Sequence, residues 1–170
     1  VIYFVNSNYD ECVLHKVCGY DCCSTHTSPH YQFAYIDVYN GVSRKNYVNY
    51  SSITRCVSES SNSNHILFLV DGKICCQSIN MSMNKCQYYS GIYCFPYPDS
   101  NSFMCSLSYS SFTDNNAAGY YSIYFGYGST KYEMKSCNVL RNTQPLGNGE
   151  GTIRSDGILV IEDSCILENK

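Results

Sequence analysis

Apolar and polar residues alternate along much of this chain in short runs, and several of the runs recur at a nearly fixed interval. Four of them are Ile79-Asn80-Met81-Ser82-Met83, Cys105-Ser106-Leu107-Ser108-Tyr109, Tyr132-Glu133-Met134-Lys135-Ser136 and Leu159-Val160-Ile161-Glu162-Asp163, at offsets of 26, 27 and 27 residues. Aligned this way, Met81, Leu107, Met134 and Ile161 share one position, and Ser82, Ser108, Lys135 and Glu162 share the next. A period of two predicts strands with one face in and one out. Three residues beyond each run comes a further apolar position, filled by Cys86, Phe112, Val139 and Ile166. Residues 34–38 and 66–70 have the composition of further strands.

A repeat of this length, with strands and no helical pattern between them, predicts an all-β fold: a parallel β-solenoid of about four to six coils. Each coil then bonds to the coils above and below, and like residues stack. Asn115, Asn142 and Asn169 fall in one row, where stacked amides can bond along the axis. Beside them Asp114, Arg141 and Glu168 form a row of alternating charge, and Lys135 lies next to Glu162. Ile92, Ile123 and Ile153 read as inward residues of a second strand per coil, while Phe95-Pro96-Tyr97-Pro98 and Gly126-Tyr127-Gly128 read as loops. Upstream the repeat fades: Asn49-Tyr50-Ser51-Ser52-Ile53 matches the Asn80 run at an offset of 31, and residues 1–33 fit no row. The expected organisation is therefore an irregular, Cys/His-rich N-terminal segment or cap over 1–33 and a parallel β-helix over 34–170. The chain stops directly after a complete repeat block, so the natural protein is expected to continue.

Composition agrees with a β protein and narrows the functions. Of 170 residues, 18 are Tyr and 12 are Cys, whereas only 15% are charged and the net charge is −3 without a basic run. That excludes the electrostatic footprint of a nucleic-acid binder. The longest wholly apolar run, Ile66-Leu67-Phe68-Leu69-Val70, is far short of the roughly 20 residues of a spanning helix. No membrane span is predicted in this segment. The cysteines do not follow compact small-domain spacing, so pairing and free thiols both stay open.

Gly72-Lys73-Ile74-Cys75-Cys76, Asn80-Met81-Ser82-Met83-Asn84-Lys85-Cys86, Ser90-Gly91-Ile92-Tyr93, Leu140-Arg141-Asn142-Thr143 and the run 161–170 resemble a large family of uncharacterised right-handed parallel β-helix proteins of trichomonad protists. The resemblance covers roughly residues 34–170. It implies the pectin-lyase-like, right-handed β-helix fold, and it brings no activity.

Candidate chemistry is sparse. Adjacent acids occur only at Asp10-Glu11 and Glu162-Asp163, and neither reads as the carboxylate pair across a groove that glycoside hydrolysis needs. Arg141 between Asp114 and Glu168 reads as a charge ladder rather than a lyase centre. Among Cys12, His15, Cys18, Cys22, Cys23, His26 and His30, the set Cys12, Cys18, Cys22, His26 and His30 is a weak zinc candidate, since the Cys18/Cys22 and His26/His30 pairs lie too close together for a zinc finger. Cys86 and Cys105 read as small apolar fillers. Gly147-Asn148-Gly149-Glu150-Gly151 lacks the lysine and helix of a phosphate loop. Asn49 and Asn80 open glycosylation sequons, meaningful if the chain is secreted, and both read as one outward strand position. No catalytic residue and no cofactor is predicted. The expected role is a non-enzymatic structural or surface-interaction module, meeting a protein or glycan partner through Tyr-rich loops. The alternative is a carbohydrate-active β-helix, of lyase or glycoside hydrolase type, whose active site is absent or lies outside this segment. Location stays open, with the cell surface or secretion the expectation for a longer chain.

Overall fold

A computed structural model describes residues 2–5, 11–22, 31–38, 41–57, 65–144 and 151–170. Three six-stranded sheets wind into a β-solenoid of six layers, or about five turns, and every strand pairing is parallel. The first sheet takes Ile2–Val5, Tyr31–Asp37, His65–Val70, Tyr89–Phe95, Ile123–Phe125 and Ile153–Ser155. The second takes Cys12–His15, Lys45–Asn49, Lys73–Gln77, Phe103–Ser108, Lys131–Lys135 and Ile158–Glu162. The third takes Cys18–Tyr20, Ser52–Thr54, Asn80–Ser82, Ser111–Thr113, Asn138–Leu140 and Cys165–Leu167. A short extra pair joins Lys85–Cys86 to Asn116–Ala117. No helix among the described residues is long and apolar enough to cross a membrane.

The corners explain why so short a strand can turn and stay stacked. One residue with φ near +50° separates each second-sheet strand from the next: Lys16, Tyr50, Ser78, Tyr109, Ser136 and Asp163. Another follows each third-sheet strand: Asp21, Arg55, Met83, Asp114, Arg141 and Glu168. A left-handed residue costs roughly 1–2 kcal/mol for a side chain with Cβ. The cost is offset because hydrogen bonding runs on through the corner, with Tyr109 N donating to the Lys135 carbonyl at 3.0 Å and Arg141 N to that of Leu167 at 3.1 Å. The charge row Asp114, Arg141, Glu168 is thus a row of left-handed corners. Arg141 grips Asp114 through two bonds of 2.8 and 2.9 Å and holds that carboxyl below its ordinary range, while Lys135 reaches Glu162 at 3.2 Å.

Alternation points one side chain in two into a common core. Val48, Cys76, Leu107 and Met134 stack in the second sheet, and Ile53, Met81, Phe112 and Val139 in the third, all fully buried. Next to the third-sheet corners the core becomes polar. Asn84 Nδ2 donates to Asn115 Oδ1 at 3.0 Å, Asn115 to Asn142 at 2.9 Å and Asn142 to Asn169 at 2.9 Å. Each oxygen also accepts the backbone N–H of the layer before it, at 2.9–3.1 Å.

Three expectations about register need correction. Cys105 and Leu107 pair with Ile74 and Cys76, so the run 79–83 belongs one strand later, where Met81 faces Phe112. Cys86 accordingly leaves the Phe112 row and pairs with Ala117. The upstream offset is 28, not 31, because Ser52 faces Asn80 and Ile53 faces Met81. Within 1–33, Ile2–Val5, Cys12–His15 and Cys18–Tyr20 pair in register with the second layer and supply the first, in place of an irregular segment.

Candidate functional site

The outer face of the first sheet carries a row of rings. Tyr3, Tyr35, Phe68, Tyr93 and Tyr124 are register partners in successive layers, so parallel pairing holds their side chains at strand spacing. Their centroids lie 5.4, 5.4, 4.3 and 4.7 Å apart, and the Phe68 and Tyr93 planes are 3° from parallel. A second row begins with His65, the partner of Tyr89, which stacks at 4.9 Å on that ring and at 4.6 Å on Phe68. Tyr88 and Tyr120 extend the cluster onto the loops, 4.8 Å from each other.

Between these rows lies an open cleft of about 320 Å³ lined by His65, Tyr88, Tyr89, Tyr93 and Tyr120. Because the ladder rings stack on one another, they present edges and hydroxyls, whereas the tilted Tyr88 and Tyr120 stand as the walls. Burial pushes the Tyr93 hydroxyl up to about 12, with Asp156 adding to the effect. Burial also raises Tyr89 and Tyr124. These phenols therefore remain protonated donors at neutral pH.

The face is edged by acids. Asp156 accepts from the Tyr124 hydroxyl and from Arg154 Nε at 3.0 Å, and Arg154 in turn donates to the Tyr121 hydroxyl at 2.7 Å and lies over the Tyr121 and Tyr124 rings. At the other edge Asp37 accepts from Tyr35 at 3.1 Å. Burial raises Asp37 despite that bond, and raises Asp71 with the Asp37 charge adding to it. A carboxyl raised in the folded state is penalised where it is charged, so its cost is absent below the unfolded pKa near 3.8 and grows as pH rises through the folded one. Asp71→Asn is expected to raise the melting temperature at pH 7 and to leave it unchanged at pH 3, in a calorimetric pH series. Asn also suits the left-handed backbone there, φ 58°.

The sequence-selected candidates do not converge. Cys12 is buried inside the second sheet, Cys18 is exposed on the third, and Cys22 lies past the following corner. His15 packs edge-on against Tyr50. Cys23, His26 and His30 lie outside the described residues, as do residues 147–150 of the glycine-rich run. Among the described residues no three His, Cys, Asp or Glu side chains gather as metal ligands. Asn49 faces Gln77 in the second sheet while Asn80 opens a third-sheet strand, so the two sequons do not share a position. Asn49 Oδ1 accepts from Gln77 N at 3.2 Å, whereas Asn80 is exposed.

The Asp37/Asp71 pair and the ring rows escaped the sequence reading because their members are distant in the chain. The rows occupy offsets of 32, 33, 25 and 31 residues, with no fixed period to betray them. The usable signal was outward alternation within 34–38 and 66–70, which places Tyr35 and Phe68 on the solvent side. Tyr93 and Tyr124 stand on strands, each next to an isoleucine, Ile92 or Ile123, that the sequence marks as an inward strand position. No family model, curated protein or solved structure matches the chain, so the reading of this face rests on its geometry alone.

Proposed function

We propose that the protein is a non-enzymatic interaction module that holds a neutral glycan against the aromatic face of its first sheet. The five-ring cleft carries this reading. Ring walls supply flat apolar area to sugar C–H groups, and protonated phenols with His65 supply hydrogen-bonding groups to sugar hydroxyls. Asp37, Asp71 and Asp156 along the edges, with a net charge of −3, disfavour polyanionic chains. Such a role suits the uncharacterised trichomonad β-helix proteins that the sequence resembles, and we place the chain among them, in the right-handed pectin-lyase-like form, as part of the same proposal.

Tyr120 tests the reading because its ring is 41% exposed and forms a wall of the cleft without entering the core. Titrated calorimetrically with neutral oligosaccharides, Tyr120→Ala is expected to weaken binding about tenfold, equivalent to ~1.4 kcal/mol. Tyr109→Ala removes an exposed corner tyrosine outside the cleft and is expected to leave binding unchanged. Equal losses in both variants, or no binding of any neutral glycan, would sink the proposal.

One observation favours a carbohydrate-active reading instead: two raised aspartates, Asp37 and Asp71, share an edge of this face. Release of reducing ends from a bound glycan, abolished by Asp71→Asn with binding retained, would establish that alternative.

A further inference from the structure

The polar ladder changes chemistry at its upper end. Tyr20 pairs with Thr54, Asp21 N donates to the Thr54 carbonyl at 3.2 Å, and Asp21 and Arg55 occupy matching left-handed corners joined by an ion pair of 3.0 Å. The next residues, Cys22 and Cys56, therefore stand where lower layers have Asn84, Asn115, Asn142 and Asn169. Cys56 N donates to Asn84 Oδ1 at 2.9 Å, as Asn84 N does to Asn115. The Cys56 sulfur meets both the backbone and the thiol of Cys22, the same two contacts that an asparagine oxygen makes in the layers below.

We propose that Cys22 and Cys56 are a cross-linking site, in which a disulfide replaces the amide rung and ties the first layer to the second. Neighbouring parallel strands lie about 4.8 Å apart, inside the roughly 4.4–6.8 Å between α-carbons that a disulfide accepts. Cys22 is half-buried at the edge and Cys56 is buried, so a small oxidant reaches Cys22 first. With a low-molecular-weight disulfide, the Cys22 thiolate attacks one sulfur and expels a small thiolate, leaving a mixed disulfide. The Cys56 thiolate then attacks the Cys22 sulfur and expels the second. Two protein thiols become one disulfide, two small thiols form, and the protons pass from the first pair to the second. The link closes a loop of 33 intervening residues over a layer whose Ile2, Phe4, Leu14 and Val17 are only partly covered. Burial pushes the Cys56 thiol up to about 12, so closure is expected to quicken about tenfold per pH unit below that value.

The test is oxidation of the full chain with oxidised glutathione, then alkylation and non-reducing peptide mass mapping. The expected product is a Cys22–Cys56 linked peptide two hydrogens lighter than its parts. A rise of about 5–10 °C in melting temperature, reversed by reductant, should accompany it. Cys56→Asn extends the amide ladder by one rung; it is expected to keep the β-sheet circular dichroism and to lose both the link and the redox-dependent shift. Alkylation of both cysteines after the oxidant, or links only to other cysteines, would overturn the proposal.

Discussion

Replacing Asn115 with leucine is expected to lower stability by about 4 kcal/mol, although the two side chains share the same branched heavy-atom skeleton. Asn115 is fully buried, and each of its polar atoms is committed. Its oxygen accepts Asn84 N at 3.1 Å and Asn84 Nδ2 at 3.0 Å, while its amide nitrogen donates to the Met81 carbonyl at 2.9 Å and to Asn142 Oδ1 at 2.9 Å. Leucine leaves several buried groups without these partners, each costing about 1–3 kcal/mol, and partial relaxation recovers some of the sum. The ladder also predicts an order: Asn169→Leu costs less, because Asn169 is only half-buried. Asn138→Leu, at an exposed third-sheet position, is the control and should change little. Equilibrium denaturation reads all three. Equal midpoints for Asn115→Leu and Asn138→Leu would show that the row contributes no more than any surface asparagine.

The same row shows how far the sequence could be read. From Cys105 onward the total length of each turn stays at 27 between equivalent second-sheet positions, so Leu107, Met134 and Ile161 declare their stacking, whereas Ile92, Ile123 and Ile153 share the first sheet at offsets of 31 and 30. One layer earlier the longer loop between Phe95 and Phe103 lengthens the turn to 31 residues. Two consecutive runs there, Ile74-Cys75-Cys76-Gln77-Ser78 and Ile79-Asn80-Met81-Ser82-Met83, both alternate and both end in a left-handed corner. Met81 looks more like a core residue than Cys76 does, and the eye takes the wrong run. Asn84 held the answer: it follows a corner as Asn115 does, 31 residues before it. The first layer was illegible for a related reason, since Gly19 stands where the third sheet elsewhere places Ile53 and Met81. A Cβ on Gly19 would collide with the Phe33 ring, so an aromatic from the next turn fills the space that an apolar side chain fills below. The aromatic face was hidden because the loops before the first sheet vary in length, which breaks periodicity while leaving the register intact.

Gly91→Ala joins the fold to the candidate site and is expected to be nearly as damaging, at about 3 kcal/mol. Gly91 is buried where pairing between Tyr89–Phe95 and His65–Val70 shifts between Tyr89 and Ile92. A strand glycine at such an irregularity marks close backbone approach. A Cβ here would press on the Ser122 carbonyl oxygen and come within 3.3 Å of the Phe112 ring, which is itself fully buried. Backbone cannot swing aside as a side-chain tip can. The Ser122 carbonyl accepts Ile92 N at 3.0 Å, and the Ser90 and Ser122 hydroxyls bond at 3.1 Å, so the added methyl has to break a cross-layer bond or spread the layers. The irregularity also sets Tyr89 beside Tyr93, 5.0 Å apart, in the lining of the cleft. Gly91→Ala should therefore weaken glycan binding at temperatures where the solenoid remains folded, a loss that a core defect remote from the face does not produce. Gly128→Ala, where the nearest atom to a new Cβ is an ordinary 3.6 Å away, should leave both midpoint and affinity in place. If Gly91→Ala melts early yet binds as well as the unaltered chain below its transition, the cleft does not depend on this shift in register.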